Sequence, residues 1–324
     1  MSTIFSAPMP DIPRIQKDAP IYVAGHRGLV GSAIVRALTS HGYTNLILRT
    51  HDELDLIDAV ATTAFFEREK PEYVFLAAAK VGGIMANATY PADFIYQNLV
   101  LQSNVIHAAY RTRVRKLLFL ASSSIYSRHA IQPFKEEYFL DSPLEETTEP
   151  YAVAKIAGIA TCQAYNKQYG THFFSAIPAN LYGPNDKFDL DNSHVIPGLI
   201  RRFHDAKMSQ GKFVSLWGTG AARREFLYID DLADACLFLM DQYDDSEIIN
   251  VGTGEDVSIQ ELAELVKETV GFHGSIVWDA TKPDGAQKKV MDVTRITKLG
   301  WKARTQLRDG IRLTYAWYLK HLNA

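Results

Sequence analysis

The sequence predicts a doubly wound α/β fold built on a parallel sheet, from three observations. Short apolar runs alternate with amphipathic helical stretches as far as about residue 182; a glycine-rich turn joins the first run to the first helix; and no repeat, low-complexity tract or long linker interrupts the alternation. Strands are expected over 21–24, 45–48, 73–78, 116–121 and 172–178, with helices over 31–41, 57–69, 92–110 and 151–169 between them. The strands are mostly apolar with no strict polar alternation, as in a sheet covered on both faces. Beyond Leu181-Tyr182-Gly183-Pro184 the pattern becomes irregular: a helix near 196–207, a strand near 213–217, a helix near 231–242, a strand near 247–251 and a helix near 258–270. A smaller α+β region is expected there, over 183–224 and 254–324. The first domain spans 20–182 and regains 225–253.

At 324 residues and 47% hydrophobic content the chain can bury a large core. Its 34 basic and 37 acidic residues leave a net charge of −3, which points away from a nucleic-acid surface, so any phosphate group must be met by local cations. Cys162 and Cys236 read as buried free thiols. Residues 1–19 are polar and proline-bearing without the basic and apolar regions of a secretory leader, and read as a flexible extension. No apolar run approaches the roughly 18 residues needed to cross a bilayer, so a cytoplasmic protein with no membrane partner is expected.

The glycine turn is Gly25-His26-Arg27-Gly28-Leu29-Val30-Gly31, between the strand Ile21-Tyr22-Val23-Ala24 and an amphipathic helix. Its glycines allow a tight turn and close backbone approach, and the helix N-terminus offers free N–H groups to a pyrophosphate. The spacing is Gly-x-x-Gly-x-x-Gly, the form found in extended short-chain dehydrogenases, and the fold is then of Rossmann type. Where an NAD-binding chain carries an acid for the ribose 2′-hydroxyl, the second strand here ends in Arg49. That guanidinium, with Arg27 inside the turn, suits a 2′-phosphate, so NADPH is the expected cofactor. Asp55 follows closely and is placed to meet the adenine.

Ser122 follows the apolar run Lys116–Ala121, and strand C-termini are where open α/β sheets place ligands. Tyr151 and Lys155 are four apart in an alanine-rich helical stretch, so both project from one helix face. A Tyr-x-x-x-Lys pair alone says little. Together with the turn and the serine it says carbonyl chemistry: the ammonium is expected to lower the phenol's pKa, making Tyr151 a general acid, while Ser122 hydrogen-bonds the carbonyl oxygen.

From Ile21 to about Trp317 the chain resembles the GDP-L-fucose synthases, also called GDP-4-keto-6-deoxymannose epimerase-reductases. The resemblance rests on the glycine turn, Leu48-Arg49-Thr50, Ala77-Ala78-Ala79-Lys80-Val81-Gly82-Gly83-Ile84, the Tyr151–Gly158 segment, Asn180-Leu181-Tyr182-Gly183-Pro184, Asn192-Ser193-His194-Val195-Ile196-Pro197, Trp217-Gly218-Thr219-Gly220 and Arg224–Leu232. It implies NADPH-dependent reduction at C4 of a GDP-bound 4-keto-6-deoxy sugar, preceded in the family by epimerisation at C3 and C5, and a homodimer joined through the helices near 92–110 and 151–169. The outward faces of those helices are expected to carry apolar residues such as Val100, Ile106 and Ile159. By the same resemblance His194 is the epimerisation acid. Arg202, Trp217, Arg224 and Asn180 meet the GDP-sugar, Ala78 joins Gly25, Gly28, Gly31 and Lys155 around the cofactor, and Lys282-Pro283-Asp284-Gly285 lies nearby. No metal site is expected.

One departure stands out. The family's Ser-Ser-Cys-Ile-Tyr-Pro is here Ser122-Ser123-Ser124-Ile125-Tyr126-Ser127, so the cysteine that acts as epimerisation base is Ser124. An alkyl hydroxyl is a far weaker acid than a thiol and needs an adjacent base to abstract a proton beside a ketone. The sequence therefore leads to a 4-reductase, on a hexose or a heptose, with epimerisation retained only if another group, such as His129, supplies the base. The alternatives are the full epimerase-reductase and a nucleotide-sugar 4-epimerase that retains NAD.

Overall fold

Six strands associate into one parallel sheet, and all of them except the short edge strand Leu46–Ile47 are buried at every residue. A computed structural model describes residues 14–190, 193–282 and 284–322. The chain runs β1 (Ile21–Ala24), α1 (Leu29–Ser40), β2 (Leu46–Ile47), α2 (Ala59–Glu69), β3 (Tyr73–Leu76), α3 (Ile84–Thr89), α4 (Pro91–Arg111), β4 (Lys116–Leu120), α5 (Glu149–Tyr169) and β5 (Phe173–Pro178). It continues through β6 (Asn180–Tyr182), α6 (Val195–Met208), β7 (Phe213–Trp217), β8 (Arg223–Arg224), β9 (Phe226–Tyr228), α7 (Ile229–Gln242) and β10 (Ile249–Val251). The last elements are β11 (Val257–Ser258), α8 (Ile259–Val270), β12 (Ser275–Asp279), β13 (Lys288–Lys289), α9 (Thr294–Leu299) and α10 (Leu307–His321).

The sheet order is β10-β5-β4-β3-β1-β2, with Tyr22 opposite both Ile47 and Val74. Strand order reverses between β1 and β3, so the crevice at their carboxyl ends is the ligand position such sheets share. Local signals set several helix starts: Asp58 caps α2 by accepting from the N–H groups of Val60 and Ala61, and Ser258 and Glu261 form a capping box on α8. One hydrophobic cluster lies along the main sheet; a second gathers Tyr182, Ile196, Ile200, Phe203, Phe226, Leu262 and Ile311. Around the second lie two small sheets, β11-β8-β13 and β12-β7, and β6 pairs with β9.

Two expectations need correction. Residues 14–19 are packed rather than flexible: Ile15 is buried and its N–H donates to Asp241, while the Lys17 ammonium sits 3.8 Å from the Tyr43 ring centroid. Residues 1–13 lie outside the described residues. On α4 and α5, Ile106 and Ile159 do not face outward; both are fully buried in the chain's own core, and Val100 is half-buried. The exposed side is aromatic instead. Tyr110 stacks on Tyr169 with centroids 4.2 Å apart, Tyr165 meets both edge-on or tilted, and the Tyr165 hydroxyl lies 2.8 Å from His107 Nδ1.

No helix among the described residues is long and apolar enough to cross a membrane, and no cluster of metal-ligating side chains occurs among them.

Candidate active site and cofactor cleft

The turn after β1 is shaped by contacts that only glycine tolerates. A Cβ on Gly25, whose φ is +81°, would lie 2.8 Å from the backbone of Ala78 at the end of β3, and one on Gly31 would fall 2.1 Å from the Gly25 carbonyl oxygen. α1 thus starts tight against the strand end with Gly28 as its N-cap, presenting unpaired N–H groups to the crevice. A cavity of about 270 Å³ opens beside it, lined by Gly25, His26, Arg27, Gly28, Arg49, Thr50, His51 and Asp52. The backbone cradle and the two arginines fit a dinucleotide carrying a 2′-phosphate.

Arg27 is exposed. Arg49 is pre-ordered, donating to the Leu48 carbonyl at 2.7 Å and to Glu69 at 2.9 Å, with its guanidinium over the Phe65 ring. Asp55 is not among the lining residues: its carboxylate accepts from the Ile57 N–H and faces His51 at 3.8 Å. Replacing Arg27 by alanine is expected to raise KM for NADPH about 10–100-fold, the loss of one charge-assisted contact, and to leave KM for NADH nearly unchanged. Steady-state kinetics with both cofactors checks it.

At the end of β4 the structure brings Ser122, Ser124, Tyr151 and Lys155 together. Ser122 caps the short 3-10 turn Ser123–Ile125 and accepts from both the N–H and the hydroxyl of Ser124, at 3.3 and 3.0 Å. Ser122 is also the polar group that favours ionisation of the Tyr151 hydroxyl. The turn is held from both sides: Tyr126 donates to Asn250 at 2.6 Å, and Ser127 donates to the Pro143 carbonyl at 2.8 Å while accepting from Ser142. His129 is exposed, and its ring accepts from Arg128 while its N–H donates to Ser127.

The expected action of Lys155 on the phenol is not what the structure shows. Burial pushes the Tyr151 pKa up, and the opposing pull comes from Ser122. The Lys155 ammonium is drawn to the Leu120 carbonyl at 2.9 Å, lies 5.8 Å from the Tyr151 ring centroid, and has its own pKa pushed down to about 7 by burial. Four-residue spacing places two side chains on one helix face; it does not say which acceptor the longer one finds.

The other expected residues lie along the second cluster. His194 is the N-cap of α6, exposed at the surface; desolvation against its neighbours, with a smaller push from Lys187, lowers its pKa. Asp191 and Asn192, just before it, lie outside the described residues. Arg202 donates to the Leu190 carbonyl at 3.1 Å, whereas its neighbour Arg201 pairs with Asp205. Arg224 is half-buried, and burial lowers its pKa; Arg223 pairs instead with Asp256. Trp217 stays 61% exposed, with the Lys282 ammonium 5.7 Å from its ring centroid. Asn180 donates to the Glu225 carbonyl.

Lys289 and Asp186 carry no signal in the sequence, whereas Asp284 belongs to the Lys282–Gly285 segment that the resemblance placed nearby. Lys289 sits opposite Arg224 in the β8–β13 ladder, and burial and the Arg224 charge lower its pKa, so two cations face one region. Asp284 clasps the Gly218–Gly220 turn through the Thr219 N–H at 2.6 Å and hydroxyl at 2.7 Å. Asp186, between β6 and α6, has a buried Oδ2 with no partner among the described residues, and burial pushes its pKa from 3.8 to about 7. Because the folded state holds this proton more tightly than the unfolded chain, Asp186 favours folding below about pH 4 and ceases to do so as pH rises through about 7. Asp186→Asn is therefore expected to gain on the order of 2–4 kcal/mol over the parent at pH 8 and little at pH 4. Denaturant melts at the two pH values measure it.

Residues 21–252 match the NAD dependent epimerase/dehydratase family. GDP-L-fucose synthase 1 of Arabidopsis thaliana is 59% identical over 306 residues, 94% of this chain and 95% of that protein. The chain belongs to the GDP-L-fucose synthase family. Solved structures similar to this family member include a GDP-6-OMe-4-keto-L-xylo-heptose reductase from C. jejuni, 41% identical with a TM-score of 0.91 over 95% of this chain and 99% of that one. A GDP-mannoheptose C4 reductase from Campylobacter jejuni, with NADP bound, is 42% identical with a TM-score of 0.87, covering 94% and 99%. Relatives thus carry names of both synthases and reductases.

Proposed function

We propose that this enzyme is an NADPH-dependent 4-reductase of a GDP-bound 4-keto-6-deoxy sugar, hexose or heptose, and that it leaves C3 and C5 unepimerised. The observation carrying this reading is the Ser122–Ser124 hydroxyl pair at the sheet's carboxyl end, where the family's thiol is a hydroxyl and Ser122 favours ionisation of Tyr151. Neither cysteine replaces that thiol: both are buried, and burial pushes Cys162 up to about 12 and Cys236 higher still.

Gly25, Gly28, Arg27 and Arg49 would hold NADPH, which would supply the hydride for C4. Tyr151 delivers the proton to O4 and Ser122 hydrogen-bonds the same oxygen, while Lys155, one turn away, stays anchored on the Leu120 carbonyl. Arg202, Arg224 and Lys289 neutralise the diphosphate, with Trp217 presenting a flat face to the guanine. Residues 20–182 and 225–253 hold the cofactor, and 183–224 with 254–324 hold the sugar nucleotide. The enzyme works as a cytoplasmic homodimer with no nucleic-acid or membrane partner, joined through α4 and α5, whose exposed aromatic face needs covering. A monomer by light scattering would sink the dimer. The 59% identity to a GDP-L-fucose synthase favours a second reading, the full epimerase-reductase, with His194 as acid and a base other than a thiol.

The test of the reduction uses NADPH deuterated at both positions of nicotinamide C4, with GDP-4-keto-6-deoxymannose and, in parallel, a GDP-4-keto heptose. One deuterium at C4 of a GDP-sugar product is expected. Product formed without it, or no product from either sugar, overturns the reading.

A further inference from the structure

Both lone pairs of the Ser122 hydroxyl oxygen are taken by one neighbour. Ser124 approaches with its N–H at 3.3 Å and its hydroxyl at 3.0 Å. A hydroxyl has one proton and two acceptor sites, so Ser122 retains only its own proton to offer. The group whose ionisation that proton favours is the Tyr151 hydroxyl, where the substrate's carbonyl oxygen also arrives under the proposed function. The turn cannot easily swing to give Ser124 another partner, because Tyr126 is tied to Asn250 and Ser127 to the Pro143 carbonyl and Ser142.

We propose that Ser124 is a positioning residue for the reduction: by donating to Ser122 it fixes the Ser122 hydroxyl as a donor aimed at Tyr151 and the substrate's carbonyl oxygen. The inference rests on the reductase reading and deepens it. A thiol at this position is a weak donor, and a thiolate is an acceptor only, so it would turn the Ser122 proton toward position 124 and away from the ketone. Cysteine at 124 arranges the turn for abstracting a proton from carbon. Serine arranges it for polarising a carbonyl, through a chain in which each hydrogen bond strengthens the next.

The groups facing Tyr151 are Ser122 from the turn after β4, Lys155 one turn along α5 and the Phe94 ring from α4, at a centroid distance of 6.3 Å. Lys155 is the charged member of these three, and Ser124→Ala does not touch it. Removing the Ser124 hydroxyl frees one lone pair of Ser122, lets its proton rotate, and weakens the donation that favours the phenolate.

Ser124→Ala is expected to lower kcat for the 4-ketone about 10-fold with KM within about twofold, and to move the alkaline limb of the pH–rate profile upward. A substrate-independent readout is fluorotyrosine placed at position 151 and titrated by ¹⁹F NMR: its ionisation is expected to rise by about half to one pH unit in Ser124→Ala. Ser124→Thr, which keeps the hydroxyl, should restore both. The proposal is overturned if Ser124→Ala leaves the titration and kcat unchanged, or if Ser124→Thr behaves like the alanine variant. Should the parent enzyme fail to oxidise NADPH with any 4-keto sugar, the reductase reading falls, while the titration still decides whether Ser124 orients Ser122.

Discussion

Tyr151→Phe is expected to lower kcat for NADPH oxidation by about 10²–10⁴-fold, the range a positioned general acid supplies, with the KM for NADPH little changed. The effect is confined to chemistry because the ring packing does not need the hydroxyl: the ring meets Phe94 edge-on, and the nearby Lys155 amine is held by the Leu120 carbonyl. Phenylalanine keeps the ring packing and deletes the proton. Melting temperature should therefore move little, and a parallel loss of rate and stability would argue that Tyr151 is structural. Burial raises the phenol's pKa, so at neutral pH it is protonated and able to donate.

Glu225→Ala is expected to produce the largest loss of stability, about 3–5 kcal/mol, seen as a fall in Tm of about 6–15 °C. Glu225 is 1% exposed and collects the backbone N–H groups of Thr253 and Gly254 on one oxygen, at 2.5 and 2.9 Å, and of Met291 on the other at 2.6 Å. Its own backbone joins β13 through the Lys289 carbonyl and receives Asn180 at its carbonyl. One carboxylate thus ties the segment after β10 and the segment after β13 to the strand end that carries Arg224. Alanine leaves three buried N–H groups without partners, and the Arg224 and Lys289 cations lose their fixed spacing. Substrate KM should rise along with the fall in Tm, because the same hub shapes the proposed diphosphate site.

The alternation of strands and helices was legible because it is local: β1, β3, β4, β5 and the helices around them declare themselves by apolar runs and periodicity within a few residues. The same holds for the turn at Gly25 and the Tyr151/Lys155 spacing. What escaped depends on pairing between distant segments. β8, β11 and β13 are two residues each and exist only through one another, so neither the small sheet nor the approach of Lys289 to Arg224 has a periodic signature. α3 is six residues long and too short for a helical pattern to emerge against the preceding glycines. Burial was the other hidden variable. The α4 and α5 sequences are apolar on more than one side, and only the packed structure shows Ile106 and Ile159 turned inward and the tyrosines turned out. Lys155 likewise stands where the spacing puts it, while its amine is captured by the Leu120 carbonyl.

Whether the enzyme reduces C4 without epimerising C3 and C5 is decided by turnover of GDP-4-keto-6-deoxymannose with NADPH in deuterated water, followed by NMR of the product. The expected result is NADPH consumption and a GDP-6-deoxyhexose with no deuterium on C3 or C5. Deuterium at both carbons, with GDP-L-fucose as the product, would contradict the account and mean that a base other than a thiol performs the full epimerase-reductase reaction here.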